Sequence, residues 1–203
     1  MSETATTGRS ARTGATHVAW GPNALIGAAV IALATTGAAA TVAPAPALAQ
    51  HGQGAYLTSG VTMILSDLLM LLGVITLYRS AAVRVGLLKT AGFLLAIAGS
   101  VGVVVAEGLL RANFATGATA FTIVGPLQAL GLILIGLGVI VTRVWRGWHR
   151  YVMLLTGLYV PAVLVPAMAA ANGENLLALS GYHALVLMVG IAYLRERTSP
   201  SGR

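Results

Sequence analysis

The sequence predicts an all-α bundle of six transmembrane helices with both termini in the cytoplasm. Of its 203 residues, 57% are hydrophobic and only 8% are charged. Mean hydropathy is +0.87. A soluble domain carries about 25% charged residues because its surface faces water, so lipid must replace water over most of this surface. The scarcity of charge excludes a disordered chain, and the absence of cysteine excludes a disulfide scaffold.

Long apolar runs define the six helices. A helix needs about 20 apolar residues to cross a hydrocarbon core about 30 Å thick. The runs are 24–43, 60–78, 90–110, 119–142, 151–171 and 177–194. Polar and apolar residues do not alternate within these runs as they do in the strands of a membrane β-barrel. Lipid cannot form hydrogen bonds with exposed backbone groups, so helices are expected.

The first run has two interpretations. Residues 1–22 are rich in Ser, Thr and Gly and are predicted to be a disordered cytoplasmic segment. Residues 23–49 are either a first transmembrane helix or a signal peptide, because Ala47 and Ala49 satisfy the small-residue rule for cleavage before Gln50. Cleavage would leave five helices. The bundle is predicted over 50–197, and 198–203 form a cytoplasmic tail.

The basic residues indicate the orientation. Eleven of the twelve fall on one side of the predicted bundle: Arg9, Arg12, Arg79, Arg84, Lys89, Arg143, Arg146, Arg150, Arg195, Arg197 and Arg203. Only Arg111 falls on the other side. The positive-inside rule therefore places both termini in the cytoplasm of a cell membrane.

Polar side chains inside the apolar runs form a candidate pocket that opens outward. They are Asp67, Glu107, Gln128, Tyr159 and His183. Charges within a membrane usually face a protein interior or a water-filled cavity. Most of these groups are predicted to lie in the extracytoplasmic half of the membrane. Further polar residues are placed at its rim: His51, Asn172, Glu174 and Asn175. Each group also has a structural interpretation, such as an interhelical hydrogen bond or an i,i+4 pair of Glu107 with Arg111.

Small residues recur at helical spacing in two of the runs. They are Ala24, Ala28, Ala32, Thr36 and Ala40 in the first run, and Ala98, Gly102 and Ala106 in the third. Such stripes let helix backbones approach closely. They indicate packing within the bundle or a face of a homo-oligomer. Pro126, Pro161 and Pro166 interrupt the fourth and fifth runs and predict kinks there.

The turn between the fourth and fifth runs interleaves Arg143, Arg146 and Arg150 with Trp145 and Trp148. In a soluble protein this pattern would suggest nucleic acid. At a membrane boundary it indicates aromatic belt residues and contacts with lipid headgroups. The lipid bilayer is the expected surrounding, and a homo-oligomer or a membrane partner protein is possible.

The same turn resembles one found in a common class of bacterial multi-pass membrane proteins without an assigned function. Gly136-Leu137-Gly138-Val139 precedes Arg143-Val144-Trp145-Arg146-Gly147-Trp148, and the last helix ends in Arg195-Glu196-Arg197. The resemblance covers about 60–197. It implies the architecture of the bundle and carries no functional residue.

Three classes of function remain open from the sequence. No phosphate loop, metalloprotease helix, nucleophile elbow or metal-ligand spacing is present, so no catalytic residue, cofactor or metal is expected. A non-enzymatic scaffold, accessory subunit or sensor is favoured. A small permease or proton-coupled transporter using the polar pocket is the first alternative. An intramembrane enzyme acting on a lipid substrate is the second.

The orientation is tested by a reporter fused after Thr116, in the turn between the third and fourth runs. A phosphatase that folds only outside the cytoplasm is expected to be active there, because Arg111 is the one basic residue predicted outside. Fusion after Arg79 is the control and is expected to be inactive. An inactive fusion at Thr116 with an active one at Arg79 would reverse the orientation.

Overall fold

A computed structural model describes residues 20–42, 53–79, 86–143, 145–171 and 175–198. The described residues contain six helical stretches long and apolar enough to cross a membrane, and no strand. The predicted all-α class with six membrane helices is confirmed. The predictions for residues 1–19, for the cleavage site at Ala49, for His51, Asn172 and Glu174, and for 199–203 lie outside the described residues.

The helices follow the apolar runs but extend beyond most of their ends. Their bounds are α1 Gly21–Val42, α2 Gln53–Arg79, α3 Leu87–Ala112, α4 Phe114–Thr142, α5 His149–Tyr159, a π-helical segment Val160–Leu164, α6 Val165–Ala170 and α7 Leu176–Thr198. The fifth span therefore consists of α5, the π-helical segment and α6. The largest extension is at α2, which begins seven residues before its predicted run.

The six spans pack in a closed ring. α1 contacts α2 and α7, α2 contacts α3, α3 contacts α4, α4 contacts α5, and α5 returns to α7. The ring encloses an apolar core of buried side chains from most of the helices, among them Leu25, Val74, Leu132, Met153 and Val186. A small apolar pocket beside this core is lined by residues of α1, α2, α4, α5 and α7.

Successive spans alternate in direction, so the bundle has two distinct ends. At one end, Gly21 at the start of α1 lies against Thr76 near the end of α2, and Ile26 lies against Gly190 of α7. The described basic residues gather at this end, with the exception of Arg111, and we call it the basic end. Which end faces the cytoplasm stays a prediction.

α3 and α4 form the tightest hairpin of the bundle. A single extended residue, Asn113, joins them, and its Oδ1 accepts a hydrogen bond from the backbone N–H of Thr116. Gly99 lies against the backbone of Gln128, and Gly131 lies against the backbone of Ala96. A glycine at such a contact lets two backbones approach without side chains between them.

The small-residue stripes locate the packing face of α1 and part of the packing face of α3. In α1 the residues Ala24, Ala28, Ala32 and Thr36 are all buried. In α3 the predicted stripe includes Ala98, which is exposed. Ala106 of the predicted stripe is buried and Gly102 lies against Val124 of α4. The other buried small residues of α3 are Gly92, Ala96, Gly99 and Ser100.

The prolines affect the two helices differently. α4 continues through Pro126 without a break. The fifth span changes to π-helical hydrogen bonding after Tyr159, and the N–H of Val165 bonds to the carbonyl of Val160. Because Pro161 and Pro166 have no N–H, two turns of this span lose a helical donor. The wider π turn is one way in which a helix accommodates such a loss.

The backbone contact at Gly99 predicts a stability difference between two glycines of one helix. Gly99→Ala places a methyl group against the backbone of Gln128, so we expect the bundle to lose about 1–3 kcal/mol. Thermal unfolding in detergent measures this as a lower midpoint. Gly108→Ala is the matched control, since its methyl group meets open space. Equal midpoints for the two variants would contradict the close approach of α3 and α4.

Candidate functional site

A charged cluster lies between α2 and α3, toward the end of the bundle opposite the basic end. Glu107 is buried on α3 and forms an ion pair with Arg111, one turn later. The Arg111 side chain lies across Gly60 of α2, where any side chain would collide with it. Asp67 of α2 is within electrostatic reach of Glu107. We call Asp67, Glu107 and Arg111 the acidic cluster.

Asp67 makes no hydrogen bond to any described residue, in contrast to Gln128 and Tyr159, which bond to neighbouring helices. Its carboxylate also interacts electrostatically with Tyr182 of α7. Tyr182 is buried and donates a hydrogen bond to the sulfur of Met70, 3.6 Å away. Asp67 therefore lies where α2 faces both α3 and α7. A carboxylate in a membrane span without a hydrogen-bond partner is a candidate functional group.

Gln128 occupies a different contact, between α3 and α4. Its Nε2 donates a hydrogen bond to the Ser100 hydroxyl at 3.0 Å, and both side chains are buried. The contact lies next to Gly99, which brings the two backbones together. Ser100 and Glu107 are two turns apart on α3, so Gln128 is nearer the middle of the membrane than the acidic cluster is.

Tyr159 joins α5 to α7. Its hydroxyl donates to the carbonyl of Ala178 at 3.1 Å, and its ring end lies over Gly181. The bond falls at the last α-helical residue before the π-helical segment. Asn175, predicted at the rim, caps the start of α7, where its Oδ1 accepts a hydrogen bond from the N–H of Ala178 at 3.0 Å.

His183 is buried on the face of α7 that packs against α1. Ser180 and Gly190 share this face by helical spacing; Ser180 bonds to Thr36 of α1 at 3.0 Å, and Gly190 lies against Ile26. The ring of His183 packs edge to face with Tyr182, with 5.4 Å between centroids. Its Nδ1 makes no hydrogen bond of ordinary geometry to the described residues, and the nearest backbone interaction is with Leu179.

Of the five residues predicted for the pocket, Asp67 and Glu107 are the two that interact with each other in the described structure. Gln128, Tyr159 and His183 lie in three other helix contacts. Tyr182 links α7 to the Asp67 side of the bundle, and it was not singled out from the sequence. That all five line one pocket stays a prediction.

A second polar cluster lies at the basic end. One oxygen of Glu196, near the end of α7, accepts a hydrogen bond from the backbone N–H of Arg146 at 2.9 Å and lies 3.1 Å from Nδ1 of His149. The carboxylate thus sits at the start of α5, where the helix dipole favours negative charge. Buried Trp145 stacks on Tyr193 of α7, with 6.5 Å between ring centroids. Sequence analysis noted Glu196 only as part of the basic tail.

The described part of the chain holds no group of three residues arranged to bind a metal ion. Comparison with known proteins found no protein family, no curated protein and no solved structure that matches the chain. The contacts within the bundle therefore carry the functional argument.

Proposed function

We propose that the chain is a non-enzymatic component of a bacterial cell membrane. It acts as a scaffold, accessory subunit or sensor through contacts between its helices and a membrane partner, which is a second protein or a second copy. The proposal includes both termini in the cytoplasm, supported by the charge asymmetry of the sequence. The bacterial setting is supported by the resemblance of the Arg- and Trp-rich turn.

One observation carries this proposal: several buried polar side chains of the spans bond to a neighbouring helix of the same bundle. Gln128 bonds to Ser100, Tyr159 to the Ala178 carbonyl, and Ser66 to the Ala28 carbonyl. A substrate site needs polar groups that converge on a cleft. Here they hold helices together, and the centre of the ring is filled by apolar side chains. This arrangement favours a packed membrane component over a catalyst.

The residues 160–170 provide a surface on which a partner helix can pack. Val160 is the only buried residue of the π-helical segment, and α6 has none. The exposed positions include small residues such as Ala162 and Ala169. The carbonyl that loses a helical donor because of Pro166 lies four or five residues earlier, on the same stretch. Small side chains and free carbonyls are features of helix association in membranes.

The proposal predicts a partner that depends on 160–170. We expect the chain, extracted in native-lipid discs, to purify with a membrane protein or a second copy in a fixed ratio. Val163→Trp is expected to lower that ratio about tenfold or more, because a bulky ring separates the packed surfaces. Ile123→Trp on α4 is the matched control, since Ile123 is exposed at a similar depth. A wild-type monomer without a partner would contradict the proposal.

A proton-coupled transporter is the second candidate, and the acidic cluster favours it. Asp67 lacks a hydrogen bond among the described residues and lies near Glu107. A carboxylate in a membrane span is expected to find a partner or to serve a function. No described contact similarly favours a lipid-acting enzyme.

The transporter candidate is tested by proton movement into vesicles that contain the purified chain and a pH-sensitive dye. If Asp67 carries the proton, Asp67→Asn is expected to reduce uptake under an imposed gradient to the rate of empty vesicles. Glu196→Gln is the control, because it removes a carboxylate at the other end of the bundle. Equal uptake by wild type and Asp67→Asn would remove Asp67 from any transport mechanism.

A further inference from the structure

The turn between α4 and α5 presents cations on a fixed loop at the basic end. Arg143 and Gly147 both adopt left-handed conformations, with φ of 50° and 58°, and these reverse the chain within a few residues. Arg143 and Arg146 are exposed. Trp148 and Tyr151, which flank the start of α5, are 46% and 40% exposed. We call Arg143, Arg146, Trp148 and Arg150 the turn cluster.

Contacts with α7 hold this loop in place without neutralising its guanidinium groups. Trp145 is 1% exposed and stacks on Tyr193. Glu196 is the one acidic residue described at the basic end, and it accepts from the backbone N–H of Arg146 rather than from the guanidinium. The same Glu196 oxygen lies beside His149. The loop is therefore anchored through its backbone and through Trp145, and the arginine side chains stay available to an anion.

Aromatic side chains surround the cations in the manner of a membrane interface. The Arg150 guanidinium lies 4.6 Å from the ring centroid of Tyr151 and donates to its hydroxyl. Trp148 packs edge to face on His149, with 4.4 Å between centroids. Trp and Tyr favour the headgroup level of a bilayer because their rings are apolar and their polar atoms can reach water.

Apolar stripes run from the turn cluster into the membrane. On α4, Leu137 and Val141 are exposed at 38% and 71%. On the neighbouring α5, Leu155 and Leu158 are exposed at 51% and 43%. Each pair recurs at helical spacing, and Gly136 brings α4 against Leu154 of α5. Acyl chains below a headgroup at the turn would lie on these stripes.

We propose that the turn cluster binds the phosphate of an anionic phospholipid whose acyl chains lie along α4 and α5. Guanidinium groups match the paired oxygens of a phosphate. Basic residues next to a membrane helix attract anionic lipids over zwitterionic ones. The apolar stripes favour a lipid over a free phosphate ion. The proposal is independent of which function the bundle performs.

The test compares lipid binding to the full chain by native mass spectrometry in detergent. Phosphatidylglycerol is expected to bind at least about tenfold more tightly than phosphatidylcholine. The double variant Arg143→Gln/Arg146→Gln is expected to lose that preference. It keeps the backbone bond from residue 146 to Glu196, so the loop is expected to stay in place. Arg79→Gln/Lys89→Gln is the matched control, since it removes two charges at the same end of the bundle, and it is expected to keep the preference.

Three results would overturn the proposal. Equal binding of the two lipids to the wild type would show that no anionic site exists. If both double variants lost the preference for phosphatidylglycerol equally, the lipid would be attracted by diffuse charge rather than by the turn cluster. Displacement of phosphatidylglycerol by inorganic phosphate at equal concentration would show that the acyl chains contribute nothing. If Arg143→Gln/Arg146→Gln unfolds, Arg146→Gln alone provides the same comparison, with a smaller loss expected.

Discussion

The structure of this bundle depends on the need of its polar groups to form hydrogen bonds where no water is present. In the hydrocarbon core every backbone N–H and C=O must bond within the protein, which is why the apolar runs form helices. The same need extends to side chains, because an unpaired polar group in lipid is costly. Thr36 illustrates the result: its hydroxyl donates to the Ala32 carbonyl and accepts from Ser180 of α7. One side chain thereby hydrogen-bonds to its own helix and fixes the rotation of the neighbouring helix.

Close backbone approach is the second condition for these bonds. Short side chains such as Ser100 reach another helix only where the backbones are near, and Gly99 creates that proximity beside Gln128. Ser66 reaches the Ala28 carbonyl across the small-residue face of α1 in the same way. Glycine and alanine faces and hydrogen bonds are therefore parts of one mechanism. Apolar packing alone specifies helix rotation poorly, because lipid tails compete equally for large side chains.

Much of the fold could be predicted from the sequence, whereas the pairing of side chains could not. Run lengths locate six helices because span length is set by bilayer thickness. Helix rotation is set by neighbours far along the chain, so the stripe pattern includes the exposed Ala98 and omits Gly99, which lies against Gln128. The partners of Gln128 and Tyr159 are a serine and a backbone carbonyl, and neither carries a distinctive pattern. The link between Asp67 and Glu107 joins two helices whose angular positions the sequence does not specify.

Asp67 lacks the hydrogen bonds that Gln128 and Tyr159 form, and this difference separates the two candidate functions. A structural carboxylate would be expected to accept hydrogen bonds as Glu196 does from Arg146. Asp67 instead has an acidic neighbour and a buried tyrosine, Tyr182, within electrostatic reach. Arg111 is already paired with Glu107. Asp67 is therefore the carboxylate of the spans that no described hydrogen bond or ion pair explains. A carboxylate in a membrane span is expected to find a partner or to serve a function, and this position keeps the transporter beside the packed component as a candidate.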